Sequence, residues 1–383
     1  MMQIRTIIYM IIVLAFSGCI KPYEPNFDDG VVQKYVVQGM IDNQEGWQTV
    51  RVSKSTSVSN PSLITVDGCQ VEIVDEIGQK FELSLFDRGE YRVWMSSEYL
   101  VPGRAYQLIV ITPEGEILQS SFDRMPLETD LEDVFYEIET LPTNDPEVWT
   151  HGIQFYTNLN AGENNSRYYR WKINETWEYH ARFPKEFYYD GQVQQIIPPD
   201  SSQMYCWANQ DVDEIFTLST ANLDENSFQN FPLHYVNTSS DRLAILYSML
   251  ISQIALSEEA YIYWDQLRIN NIDGGLYSSQ PIAVKGNIEN ISRPDQDVLG
   301  FFQASSIASK RIFIEPIDEL ELYFSDGCSP ALLWRGFIEL TPDTWPAYLM
   351  TFEGNWSFVY LNYECVNCEL MGGITERPLY WPY

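Results

Sequence analysis

The chain has 383 residues, 45% of them hydrophobic and 14% aromatic, and carries 54 acidic against 23 basic side chains for a net charge of −31. That length supports more than one domain with a sizeable core. A field of that sign repels phosphate backbones, which excludes nucleic-acid binding, and it opposes lying on an anionic leaflet without an anchor.

Residues 1–18 read as a lipoprotein signal peptide. Arg5 precedes an apolar run from Ile7 to Phe16, then come Ser17, Gly18 and Cys19. A charged start, an apolar middle and a small-residue cleavage site define a secretory leader. The run is shorter than the roughly 20 apolar residues that span a bilayer. Cys19 is therefore expected to be lipidated after cleavage, and residues 19–30 to form a linker, since they hold two prolines and no periodicity.

The expected fold class is mainly β. From residue 31 to residue 125, short alternating segments succeed one another with turn signals between them. They are Tyr35–Ile41, Gln48–Ser53, Cys69–Val74, Phe81–Phe86, Gly89–Trp94, Ala105–Ile111 and Ile117–Phe122. This spacing predicts an N-terminal β-sandwich, and its pattern resembles the small immunoglobulin-like and transthyretin-like sandwiches.

Residues 126–383 predict a larger β-rich domain with one main helix. An acidic segment over 127–140 leads to a loop at 141–146. Strands are expected at 152–159, 167–173 and 175–181, then an aromatic-rich stretch at 183–190 and a loop from Ile197. Arg242–Leu256 is long enough for a helix, yet its Ile, Leu and Tyr content suits a buried strand, and the strand is preferred. Ser257 then supplies an N-cap, with Glu258 and Glu259 in the first turn, for a helix near 257–270. Beyond it, a strand over 282–288 is expected. Leu299–Ala304 and Arg311–Ile314 read as a hairpin pair.

Besides Cys19 there are five cysteines, so one is left over. Cys69 alternates with Val71 and Ile73 and reads as a buried thiol. Cys206, Cys328, Cys365 and Cys368 are disulfide candidates, Cys328 with either Cys365 or Cys368 and Cys206 with the other. The C-x-x-C at Cys365 lacks the βαβ context of a redox motif, and His151, His180 and His234 are isolated, without zinc-ligand spacing.

The sequence has no G-x-S-x-G elbow, no phosphate-cradling loop, no dinucleotide fingerprint and no H-E-x-x-H. Carboxylate pairs such as Asp211/Asp213 and Asp295/Asp297 are chain neighbours, which does not supply two facing acids. No catalytic, cofactor-binding or metal residue is singled out, and the chain reads as a binding protein rather than an enzyme. Trp171, Trp177, Tyr179, Tyr188 and Tyr189, within an aromatic cluster, are candidate interface residues, with core packing as the competing reading.

Several stretches carry a resemblance: Tyr35–Gly39, Tyr205–Trp207, Glu259–Trp264, Gly286–Ile288, Val298–Ser305, Cys365–Cys368 and Arg377–Trp381. In this order they resemble a family of Bacteroidetes-type outer-membrane lipoproteins, grouped as a domain of unknown function and often encoded beside TonB-dependent receptors. Tyr380 departs from that pattern, where phenylalanine is more usual. The resemblance implies a lipid-anchored outer-membrane protein, extending to the cell surface, that assists a TonB-dependent transporter in nutrient uptake. It brings no catalytic residues. A free-standing adhesin or glycan-binding module is the alternative, and a hydrolase the third reading.

Overall fold

The computed structural model describes residues 33–56, 62–143, 145, 147–162, 166–272, 283–332, 341–342, 348–352 and 355–382. The leader, Cys19 and the linker lie outside these residues.

The first strands are β1 (Tyr35–Asp42), β2 (Gly46–Lys54), β3 (Ile64–Thr65), β4 (Gln70–Asp75), β5 (Lys80–Asp87), β6 (Glu90–Met95), β7 (Ala105–Ile111), β8 (Ile117–Ser120) and β9 (Asp123–Arg124). Their side chains alternate between buried and open, as a half-buried pleat requires. β5 bonds to both β6 and β4, so the β1-β2-β6-β5 sheet continues into β4-β7-β8. The core of this unit gathers Val37, Ile41, Val50, Val52, Ile73, Tyr91, Leu108 and Leu118. Cys69 is a buried free thiol among them.

The later strands are β10 (Val134–Pro142), β11 (Trp149–Asn160), β12 (Tyr168–His180), β13 (Lys185–Tyr189), β14 (Val193–Asp200), β15 (Tyr205–Asp211), β16 (Phe216–Ser219), β17 (Ser227–Asn237) and β18 (Leu246–Leu256). Helix α1 (Glu258–Ile272) follows, then β19 (Ile288–Asn290), β20 (Phe302–Ile314), β21 (Ala331–Leu332), β22 (Tyr348–Phe352) and β23 (Asn355–Leu361). The chain returns to its first unit through two of these. β19 extends β8, and β20 lies parallel to β1, with Gly39–Asp42 against Phe302–Ser305. At the crossing a Cβ on Gly39 would meet the Val50 side chain at 2.9 Å and the Phe302 ring at 3.0 Å, so only glycine fits there. One sheet therefore runs from β1 through β20 to β18, β12 and β15.

Around β12 and β18 the molecule has three layers. The β10-β11-β17 sheet covers one face, over Phe155, Trp171, Tyr247, Met249 and Ile251. Helix α1 covers the other, with Ala260 against Ile254, Leu256 and Phe301. The expected cap forms, since the Ala260 N–H donates to Ser257 Oγ at 3.2 Å. A third sheet has the order β14-β13-β22-β23-β21.

Five expectations are corrected. The two strands expected at 167–173 and 175–181 are one, β12, which pairs with β18 without a break from Tyr168 to Glu178. The hairpin expected at 299–314 is one continuous strand from Phe302 to Ile314, because 305–310 holds no Gly, Pro, Asn or Asp to turn the chain and Ser306–Ile314 pairs with β18. The acidic segment ends in a strand, β10, which carries on to Pro142 where a loop was expected. β14 runs straight through Ile197, as an edge strand in which the cis Pro198 and Pro199 take no ladder donor away from a neighbour. Of the strand expected over 282–288, the described part turns regular only at Ile288.

The cysteines settle into Cys206–Cys368 and Cys328–Cys365.

Asp123 joins β9 to β20. Its Oδ2 accepts the Ala304 N–H at 2.7 Å. Burial pushes its carboxyl up to about 6, against the pull of the Ser257 hydroxyl and the Ala304 N–H. A raised acid penalises the fold while charged, so stability rises as the pH falls through 6 and levels off below the ordinary value. The penalty above pH 6 corresponds to about 3 kcal/mol. Asp123→Asn is expected to stabilise the protein at pH 7.5 by up to that amount, with a smaller gain at pH 5. Thermal denaturation at both pH values checks this, and an equal gain at both would reject it.

Candidate functional site

β2 turns Gln48, Val50 and Val52 inward, which sends Trp47, Thr49 and Arg51 to the outer face. β6 lies beside it with Trp94 opposite Trp47, Arg92 opposite Thr49 and Glu90 opposite Arg51. The two tryptophans are 60% and 53% exposed, and Phe86 on adjacent β5 is 64% exposed. Their burial would ordinarily be worth ~2 kcal/mol or more each, so three together in water form an unusual surface.

The rings are held in defined poses. The Trp47 and Trp94 centroids lie 5.5 Å apart with planes at 85°. The Arg92 guanidinium stacks 3.7 Å above the Phe86 ring. Arg51 Nε donates to Glu90 Oε2 at 2.9 Å, and Arg92 bonds the other oxygen of the same carboxylate. Burial raises the Glu90 carboxyl, but the hydrogen bonds from Arg51 and Arg92 outweigh it and hold the group below its ordinary value. Trp, Phe and Arg on a stiff sheet are the composition of protein-contact hot spots. Perpendicular rings present an edge and a face rather than the flat platform that suits a sugar ring. The pair also sits beyond the β1–β2 turn, roughly 23 Å along β1 from Tyr35, where the described chain begins its first strand.

The five aromatics named from sequence are not brought together. Trp171 and Tyr179 occupy the inward positions of β12 and are 0% and 3% exposed, so both belong to the core. Trp171 stacks on Phe231 at 4.5 Å, and the Tyr179 hydroxyl donates to the Cys368 carbonyl at 3.0 Å. Trp177 is half-buried, with the Arg242 guanidinium 5.1 Å from its ring. Tyr188 and Tyr189 stand on β13 in the third sheet, Tyr188 exposed and Tyr189 half-buried. Trp47, Trp94 and Phe86 were missed because aromatic density drew attention to 168–189. Strand parity was the available signal: with Val50, Val52 and Tyr91 inward, Trp47 and Trp94 had to point out.

Buried between β12, β17 and β18 is a polar cluster. Glu175 Oε1 accepts from the Tyr247 hydroxyl at 2.8 Å and contacts His234 Nε2 at 3.0 Å, while Arg242 lies 3.5 Å from Oε2. Its members point at one another, which makes it a structural knot. Two depressions of about 880 and 570 Å³ flank β19, and no histidine lines either. Among the described residues, no group of three or more His, Cys, Asp or Glu is placed to hold a metal ion.

Residues 20–311 match a family described as a domain of unknown function, DUF4249. The chain belongs to this family. No curated protein matches it significantly. Both the aromatic face and the Glu175 cluster of this DUF4249 member fall inside the matched residues. Three of the four disulfide cysteines, Cys328, Cys365 and Cys368, fall beyond them.

Proposed function

We propose that the protein is a lipid-anchored outer-membrane accessory protein that works by binding rather than catalysis. It grips a TonB-dependent transporter through the Trp47–Trp94–Phe86 face. The exposed, perpendicular tryptophan pair carries this reading, supported by the two arginines that frame it. Two disulfides suit a chain that matures in an oxidising compartment outside the cytosol. The leader and Cys19 supply the anchor in this reading, and the family resemblance supplies the transporter.

The test uses the lipidated full chain, isolated from mildly solubilised outer membrane. A stoichiometric TonB-dependent barrel should accompany it. Trp47→Ala with Trp94→Ala should remove most of that barrel, since hot-spot truncation costs about 2 kcal/mol per residue, or roughly thirtyfold in affinity. An absent barrel, or one retained equally by the double variant, would overturn the proposal. A glycan-array signal lost in the same variant would transfer the face to the glycan-binding alternative.

A further inference from the structure

A second surface, independent of the aromatic face, lies on the open side of the three-layered unit. β10 is the terminal strand of the β10-β11-β17 sheet. Its nine residues pair with β11 in unbroken register from Val134–Thr157 to Pro142–Trp149. An edge strand of that length exposes a row of unpaired backbone groups, which proteins ordinarily blunt.

The other described edges are blunted. β17 has two register shifts, Pro232 and a left-handed Asn230. β14 carries Pro198 and Pro199. β15 is bridged at Trp207 by Ile374. The remaining edges are short: β3, β9 and β21 have two residues each, β19 three and β16 four. The half of β20 that extends past β1 is guarded by Asn43, which accepts the Ile307 N–H, and by Lys310. On β10 the only proline is the last residue.

Register fixes which groups point outward. The Thr238 N–H donates to the His151 carbonyl, so His151 faces β17 and its neighbour Gly152 faces β10. Gly152 pairs with Glu139, which turns the peptide groups of Glu139 and Glu137 toward β11. The N–H and C=O of Tyr136, Ile138 and Thr140 therefore point away from the sheet. The side chains alternate as well. Tyr136 and Ile138 lie opposite buried Phe155 and Ile153, on the core side, yet remain 37% and 47% exposed. Tyr136 overhangs a shallow groove of about 330 Å³ lined by residues 313–319, where Ile314 and Ile317 are half-buried and Glu315, Asp318 and Glu319 are exposed. Glu137 and Glu139 occupy the opposite, solvent face.

We propose that β10 is a strand-addition site for an extended segment of a partner protein that alternates basic and aliphatic residues. Backbone pairing would supply the affinity, and the side-chain alternation the selectivity. Lysine or arginine would face Glu137 and Glu139, while aliphatic residues would cover the exposed Tyr136 and Ile138 side chains. The same carboxylates reject a second copy of this chain, because antiparallel pairing centred on Ile138 sets Glu137 against Glu139 twice, and like charges directly opposite repel.

The probe is a nine-residue peptide of alternating lysine and valine, titrated into the mature full chain with backbone hydrogen exchange as readout. Exchange at the Tyr136, Ile138 and Thr140 amides should slow by roughly tenfold or more on saturation. A glutamate-for-lysine peptide should bind roughly tenfold more weakly, and Glu137→Lys should narrow or reverse that preference. Ile138→Pro should abolish binding while leaving the fold intact, since that N–H bonds nothing in β11. Equal affinity for both peptides, or binding without protection at those three amides, would overturn the proposal. So would concentration-dependent self-association that protects them in the absence of peptide.

Discussion

Breaking Cys206–Cys368 by paired alanine substitution is expected to cost the fold about 5 kcal/mol, against about 4 kcal/mol for Cys328–Cys365. The order follows from loop length. The first bridge closes 162 residues and the second 37, and the entropy removed from the unfolded chain grows with the logarithm of the loop. Local packing acts in the same direction. Cys206 and Cys368 are fully buried with Tyr179, whose hydroxyl accepts the Gly373 N–H. One step further, Trp207 and Ile374 exchange backbone hydrogen bonds at 2.9 and 3.0 Å. The bridge is thus the first of several ties that bring the C-terminal tail back onto β12 and β15, and Trp381 is the last, its indole N–H donating to Glu178 of β12 at 2.8 Å. Urea denaturation of the two double variants measures both losses. Limited proteolysis should also cut the tail of the Cys206/Cys368 variant first. A larger loss from the short loop would reject the loop-length account.

Strand parity and caps were the legible part of this chain. Val50 with Val52, and Cys69 with Val71 and Ile73, announce their strands through a period of two that burial alone imposes. Ser257 with two glutamates marks the place where β18 must end and the helix begins, after a strand that its Ile, Leu and Tyr content favours. Long-range pairing was illegible. Nothing in Gly39 or Phe302 announces that the two meet across the sequence in parallel, because a strand's edge preferences reside in its backbone and not in its side chains. The candidate surfaces were hidden for a related reason. Counting aromatics points to Trp171 and Tyr179, which are core, whereas Trp47 and Trp94 are sparse in sequence and meet only through β2–β6 register. β10 read as part of an acidic segment because Glu137 and Glu139 dilute its hydrophobicity. On an edge strand those same acids are what a solvent face carries.

The second large effect is expected at Glu175. Glu175→Ala should cost about 3–5 kcal/mol, the usual loss when one member of a buried ionic cluster is removed and the other charge stays behind. Glu175 is 1% exposed, and its carboxylate serves His234, Arg242 and Tyr247 together. Burial raises the carboxyl, but His234, Arg242 and Tyr247 outweigh it and hold the group below its ordinary value, while burial drives the Tyr247 hydroxyl well above its own. The sign of the pH dependence follows. A depressed acid stabilises the fold in full above its unfolded pKa, and that contribution drains away as the pH falls through the lower folded value. Acid denaturation of the native chain should therefore steepen below pH 4.5, the ordinary value for glutamate, whereas Glu175→Gln should be less stable at neutral pH and flatter across that range. Removing both charges separates a knot from a set of independent contacts. Glu175→Met with Arg242→Met leaves no orphaned ion, so the double variant should lose less than the sum of the two single losses. Urea titrations of the four proteins at pH 7 give the coupling directly. Additive losses would mean that Arg242 is held by the Trp177 ring alone and that Glu175 answers only to His234 and Tyr247.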